Sequence, residues 1–64
     1  MSTFDIFLGE HDAVWLECIE GLDAAAQRMN DIAIEKPGMY FVLDLHDHFV
    51  VAKMDTRSLA SGRQ

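Results

Sequence analysis

The sequence predicts an α+β domain of order ββαββ, in which a four-stranded antiparallel sheet carries one helix on one face. Two observations predict it. The hydrophobic period changes from two residues to about 3.6 and back again along the chain. The Pro37-Gly38 pair then separates the helical stretch from a second pair of strand-like runs.

The first two strand-like runs lie before the helical stretch. Thr3–Leu8 alternates in hydrophobicity, with Phe4 and Ile6 on one side, which is the period of a strand. Residues 9–12 have the composition of a turn, and residues 13–19 are rich in aromatic and β-branched side chains. The sequence therefore predicts a hairpin over residues 3–19.

A helix is predicted over residues 22–36. Its apolar side chains fall within about 120° of a helical wheel, the stripe of a helix that lies on a sheet. The stripe consists of Leu22, Ala25, Ala26, Met29, Ile32 and Ala33. Ile34 falls outside it and is expected to be exposed. Asp23 and Lys36 complement the helix dipole, and Pro37 disfavours helical geometry at Lys36, so the helix should end there.

The second pair of strands follows the Pro37-Gly38 break. Residues 39–45 are apolar on both faces, which is typical of a strand in the centre of a sheet. A short connection over residues 46–48 leads to a fourth strand at residues 49–54. The sequence thus predicts one domain over residues 1–54 and a polar C-terminal tail over residues 55–64.

Two strand orders are compatible with these elements. Short connections at both helix ends make strands two and three point the same way, so an antiparallel sheet must separate them. The order 2-1-3-4 places the two apolar strands, one and three, in the middle, and we favour it. The order 1-2-4-3 is the alternative.

The chain resembles a class of short bacterial hypothetical proteins. The resemblance rests on the Trp15 strand, the Ala-rich helix and the break into a Tyr-Phe-Val strand at residues 37–44. It covers roughly residues 4–54 and implies the ββαββ fold. It carries no known activity, so it assigns a role to no residue.

Composition narrows the functional classes. Eleven acidic and five basic residues give a formal charge of −6, and the basic residues are scattered, which disfavours nucleic-acid binding. The single Cys18 rules out an internal disulfide. We expect a cytoplasmic protein with no membrane segment, because neither a signal peptide nor a spanning apolar run is evident.

The sequence contains only weak signs of metal-binding or catalytic residues. His46 and His48, with Asp44 before them, are the best candidates for metal ligands, since imidazole and carboxylate groups suit zinc. The favoured strand order places His11 at the opposite end of the sheet, which leaves the set short of ligands. Cys18 is expected to face the helix as an apolar side chain. We therefore expect no enzyme activity, no cofactor and no metal.

The sheet face opposite the helix is the strongest functional candidate. Eight side chains are expected to point toward the helix: Phe4, Ile6, Leu8, Val14, Leu16, Cys18, Phe41 and Leu43. Five are expected to point away and form an interface: Phe7, Trp15, Ile19, Tyr40 and Val42. An uncovered apolar face on so small a chain favours a homodimer. Leu22, Met29 and Phe41 are expected in the core.

The sequence ranks three functions. The first is a non-enzymatic interaction module that self-associates through the outer face of the sheet or the exposed edge of strand two. The second is a small metal- or ligand-binding protein that uses the His46 and His48 turn. The third is an acidic inhibitor or antitoxin-like protein that docks on a basic protein partner of unknown identity.

Overall fold

A computed structural model describes residues 2–57 of the chain. The elements are β1 (Thr3–Leu8), β2 (Val14–Glu20), α1 (Leu22–Glu35), β3 (Met39–Asp44) and β4 (Val50–Asp55). They form one four-stranded sheet of order β2-β1-β3-β4 in which every neighbouring pair is antiparallel. The predicted ββαββ fold and the favoured strand order are confirmed.

The core lies between α1 and one face of the sheet. It is built from β1, β3 and the inner stripe of the helix, and partly buried side chains of β2 and β4 pack around it. Its buried apolar members are Phe4, Ile6, Ala25, Met29, Ala33, Tyr40 and Val42. Small alanines on the helix let its backbone come close to the sheet, and larger side chains of β1 and β3 fill the space between them.

The helix follows the predicted stripe except at its first residue. Ala25, Met29 and Ala33 are buried, and Ile34 is exposed as expected. The expectation that Leu22 lies in the core is wrong, since its side chain is 44% exposed. Side chains of a helix tilt toward its N-terminus, so the side chain of the first helical residue extends past the packed turn.

The predicted facing of β3 is wrong. Tyr40 and Val42 are fully buried under the helix, whereas Phe41 lies on the other face and is only half-buried. The register explains this, because Val42 pairs with Ile6 and directly opposed residues share a face. Both faces of β3 are apolar, so the residues of this strand show no alternation that would mark the inner face. Burial raises the pKa of Tyr40, and its hydroxyl donates a hydrogen bond to the carbonyl of Lys36.

A bulge in β2 reverses the predicted facing of its second half. Ile6 pairs with Glu17 and Phe7 pairs with Trp15, which leaves Leu16 as an extra residue in β2. Alternation shifts by one residue at that point. Cys18 therefore lies exposed on the face away from the helix, and Ile19 packs against the core, the reverse of both expectations.

Thr56 links the end of β4 to the helix and to Gly38 by hydrogen bonds. Its side chain is buried, and its hydroxyl donates to the carbonyl of Ala33 at 2.8 Å and accepts from the backbone N–H of Gly38 at 3.1 Å. Asp55 belongs to β4. The packed domain therefore extends beyond the predicted boundary at residue 54, and the remainder of the predicted tail, residues 58–64, lies outside the described residues.

Replacing Thr56 with Val should destabilise the protein by about 1–3 kcal/mol, because two buried backbone groups lose their partner. Thr56→Ser is the matched control, since it keeps the hydroxyl and loses one methyl group, worth about 0.8 kcal/mol. Urea unfolding followed by circular dichroism measures both. A Val variant at least as stable as the Ser variant would show that these hydrogen bonds contribute little.

Candidate interaction surface

Eight side chains at the centre of the sheet face that the helix does not cover make up what we call the open face, and Thr3, Glu20, Met39 and Asp55 flank them on the same side. Cross-strand pairing arranges the eight in two rows that run across all four strands. The first row is Trp15, Phe7, Phe41 and Lys53. The second row is Cys18, Asp5, Leu43 and Val50. No helix or strand within residues 2–57 packs against them.

The first row is aromatic over three adjacent strands. The rings of Phe7 and Phe41 are stacked, with centroids 5.0 Å apart and planes 9° from parallel. Trp15 continues the row on β2 and is 54% exposed. Offset stacking of this kind fixes the two Phe rings relative to each other, so the row presents a flat and ordered apolar surface.

Asp5 orients Trp15. The indole N–H of Trp15 donates a hydrogen bond of 3.0 Å to the carboxylate of Asp5. This hydrogen bond fixes the orientation of the indole ring, and much of the ring surface remains exposed to solvent. An aromatic ring that is held in place loses less conformational entropy when something docks on it.

Cys18 lies beside Asp5 in the second row. The pKa of its thiol is above the usual value, because partial desolvation, the hydrogen bond to Asp5 and the negative charge of Asp5 all disfavour the thiolate. A nucleophilic cysteine requires the opposite environment. This arrangement argues against a nucleophilic role for Cys18.

Both edge strands carry a bulge. Leu16 is the extra residue in β2, and Val51 is the extra residue in β4, between the pairs Val42 with Ala52 and Leu43 with Val50. Bulges twist an edge and interrupt its ladder of hydrogen bonds, which hinders pairing with another strand. On β2, Glu17 is also engaged by Arg28 of the helix, with a shortest distance of 2.8 Å; the hydrogen bond from Arg28 lowers the pKa of Glu17.

The histidine turn has a structural explanation. Asp44 accepts the backbone N–H of His46 with its carboxylate at 2.8 Å and the backbone N–H of His48 with its carbonyl at 2.7 Å. His48 takes the left-handed conformation that the turn requires, with φ of 62°. The Nε2 atom of His46 lies 3.8 Å from Oδ1 of Asp47. Within residues 2–57, no three potential metal-ligating side chains come together.

The antiparallel pairing of β1 with β3 separates the two hairpin turns. His11 follows the end of β1 and His46 follows the end of β3, so they lie at opposite ends of the sheet.

In the described part of the chain, no helix has the length and apolar character needed to cross a membrane.

The structure keeps two of the five residues predicted for the interface on the open face. These are Phe7 and Trp15. Ile19, Tyr40 and Val42 are directed to the helix side instead, and the last two have no exposed surface. Phe41, Leu43, Val50 and Lys53 are on the open face and were missed, because only the cross-strand register reveals them.

Comparison with known proteins adds no functional assignment. No family model, no curated protein and no solved structure matches the chain. The resemblance to short bacterial ββαββ proteins therefore rests on the sequence motif alone.

Proposed function

We propose that this protein is a non-enzymatic interaction module that self-associates through its open face. The observation that carries the proposal is the aromatic row of Trp15, Phe7 and Phe41 on a sheet face that no described element covers. Two copies packed by these faces form two layers of sheet with a helix on each outside. In this arrangement each sheet becomes buried on both sides, which supplies the second core that a chain of 64 residues lacks.

The size of the open face indicates the strength of association. Four strands about 4.8 Å apart and roughly six residues long, at about 3.3 Å each, span on the order of 400 Å². This area includes the charged side chains Asp5 and Lys53, so the apolar part of the face is smaller. The surface buried by both copies is at the small end for specific complexes, about 1,200 Å² or less. We therefore expect a reversible dimer with a Kd in the micromolar range.

The open face is a better surface for association than the edge of β2. The bulge at Leu16 interrupts that edge, and Glu20 would face the same charge on a second copy. The exposed apolar side chain of Ile34 on the helix stands apart from the open face. These features support face-to-face packing.

A dilution series followed by nuclear magnetic resonance tests the location of the contact. On going from high to low concentration, we expect the indole N–H of Trp15 and the amides of Phe7 and Phe41 to change chemical shift. Ile34 serves as the internal control, because it is 68% exposed on the helix. Shifts confined to the helix or to the edge of β2, or no shifts at all, would contradict the proposal.

A further inference from the structure

The two central strands divide the open face into two halves that oppose each other under two-fold rotation. The sheet order β2-β1-β3-β4 places two strands on each side of the line between β1 and β3. A two-fold axis parallel to that line lays β1 over β3 of the second copy and β2 over β4. Strands of the two sheets then stay nearly aligned, as they do in sheet sandwiches.

Rotation about this axis places the aromatic row of one copy over the same row of the other copy, in the opposite strand order. Phe7 comes over Phe41 of the second copy, and Trp15 comes over Lys53 of the second copy. The contact is isologous, so each pairing occurs twice. Val50, which is 49% exposed, comes over Cys18 of the second copy. Phe7 and Phe41 therefore meet across the axis, Val50 meets Cys18, and Asp5 lies over Leu43 of the second copy, where it also faces Lys53 beside Trp15.

Lys53 and the Trp15–Asp5 pair are complementary in charge. Lys53 is the one basic side chain in the two rows. It has no ion-pair partner within residues 2–57, whereas Arg28 and Arg57 are both bound to carboxylates. Trp15 offers an exposed ring for an ammonium group, and the carboxylate of Asp5 lies 3.0 Å from its indole nitrogen. An ammonium over that ring gains a cation–π contact and an opposite charge together.

Electrostatics disfavours an orientation in which the two-fold axis runs along the aromatic row. A two-fold axis along the aromatic row would set Lys53 against Lys53 and Trp15 against Trp15. Each copy already carries a formal charge of −6, which opposes association. An interface between such chains needs contacts of opposite sign, and the axis parallel to the strands supplies two of them.

We propose that the open face binds a second copy of this chain about a two-fold axis parallel to the strands, with Lys53 of each copy seated on the Trp15–Asp5 pair of the other. This rests on the proposed function and adds its geometry. The partner is thus a second copy in one defined orientation.

A reciprocal charge exchange tests the orientation. In Lys53→Asp, one carboxylate faces Asp5 of the other copy at each of the two contacts, and in Asp5→Lys, one ammonium group faces Lys53 there, so each variant alone should dimerise at least roughly tenfold more weakly than wild type. A mixture of the two variants forms a heterodimer in which both contacts have opposite charges. Sedimentation equilibrium should find that heterodimer within roughly threefold of the wild-type Kd.

Lys36→Asp is the matched control, because it makes the same change of charge at an exposed position at the end of the helix. It should leave the wild-type Kd unchanged. The orientation is overturned if wild type dimerises and the mixture associates no more tightly than either variant alone. It is overturned equally if either single variant dimerises as tightly as wild type. A wild-type chain that stays monomeric overturns the proposed function itself.

Discussion

Replacing Tyr40 with Ala should remove most of the stability of the protein. Tyr40 is fully buried between the helix and the sheet, and truncating a buried aromatic side chain costs about 3–5 kcal/mol. Marginal stability of about 0.05–0.15 kcal/mol per residue leaves a domain of this size little in reserve. We expect the variant to be largely unfolded at 25 °C by circular dichroism, a temperature at which wild type is folded.

Phe41→Ala is the matched control for Tyr40→Ala. The two residues are neighbours in β3, but Phe41 lies on the open face and is half-buried. Its truncation should cost about half as much in the monomer, since less apolar surface leaves the protein interior. If Phe41→Ala unfolded the protein and Tyr40→Ala did not, the facing of β3 described above would be wrong.

Replacing Phe41 with Glu should abolish association of the chains that stay folded, a fraction that circular dichroism measures. The side chain lies on the central strand β3 beside Phe7 of the aromatic row, and the two rings are stacked. In a face-to-face dimer, a carboxylate at this position would be buried against a ring without a partner, which costs several kcal/mol. We expect the Kd to rise by at least about 100-fold, equivalent to about 2.7 kcal/mol.

Ile34→Glu controls for the added negative charge. Ile34 is 68% exposed on the helix, on the opposite side of the sheet from the aromatic row. It should change neither the fold nor the Kd. Equal weakening by both variants would indicate general charge repulsion, in which case the open face would not be the site of contact.

The fold was predictable because the local signals agreed with one another. The change of period, the apolar stripe of α1 and Pro37 after it located the elements within a few residues. The apolar character of strands one and three was enough to place them in the centre of the sheet. These are features of single segments, and a single sequence contains them.

The facing of β3 and of half of β2 was not predictable from the segments alone. Tyr40, Phe41 and Val42 are all apolar or aromatic, so neither face was marked as the inner one. The register with β1 decides which face is inner, and that is a property of two strands together. The bulge at Leu16 could not be predicted either, because no glycine marks its position in the sequence.

The candidate surface was predictable as a face but only partly as a set of residues. Phe7 and Trp15 precede the bulge on their strands or lie opposite it, so simple alternation placed them correctly. Lys53 could not be recognised as a partner for Trp15 until the strand order and both registers were known. Thr56 was missed because a polar residue after the last strand reads as tail, although here it binds two buried backbone groups.

Sedimentation equilibrium of the wild-type chain tests the central claim most directly. Over a range from about 1 µM to about 500 µM, which brackets the Kd expected for a small interface, the mean mass should rise from that of one chain to that of two. The mass of one chain is 7.2 kDa. A mass that stays at the monomer value across the whole range would contradict self-association through the open face.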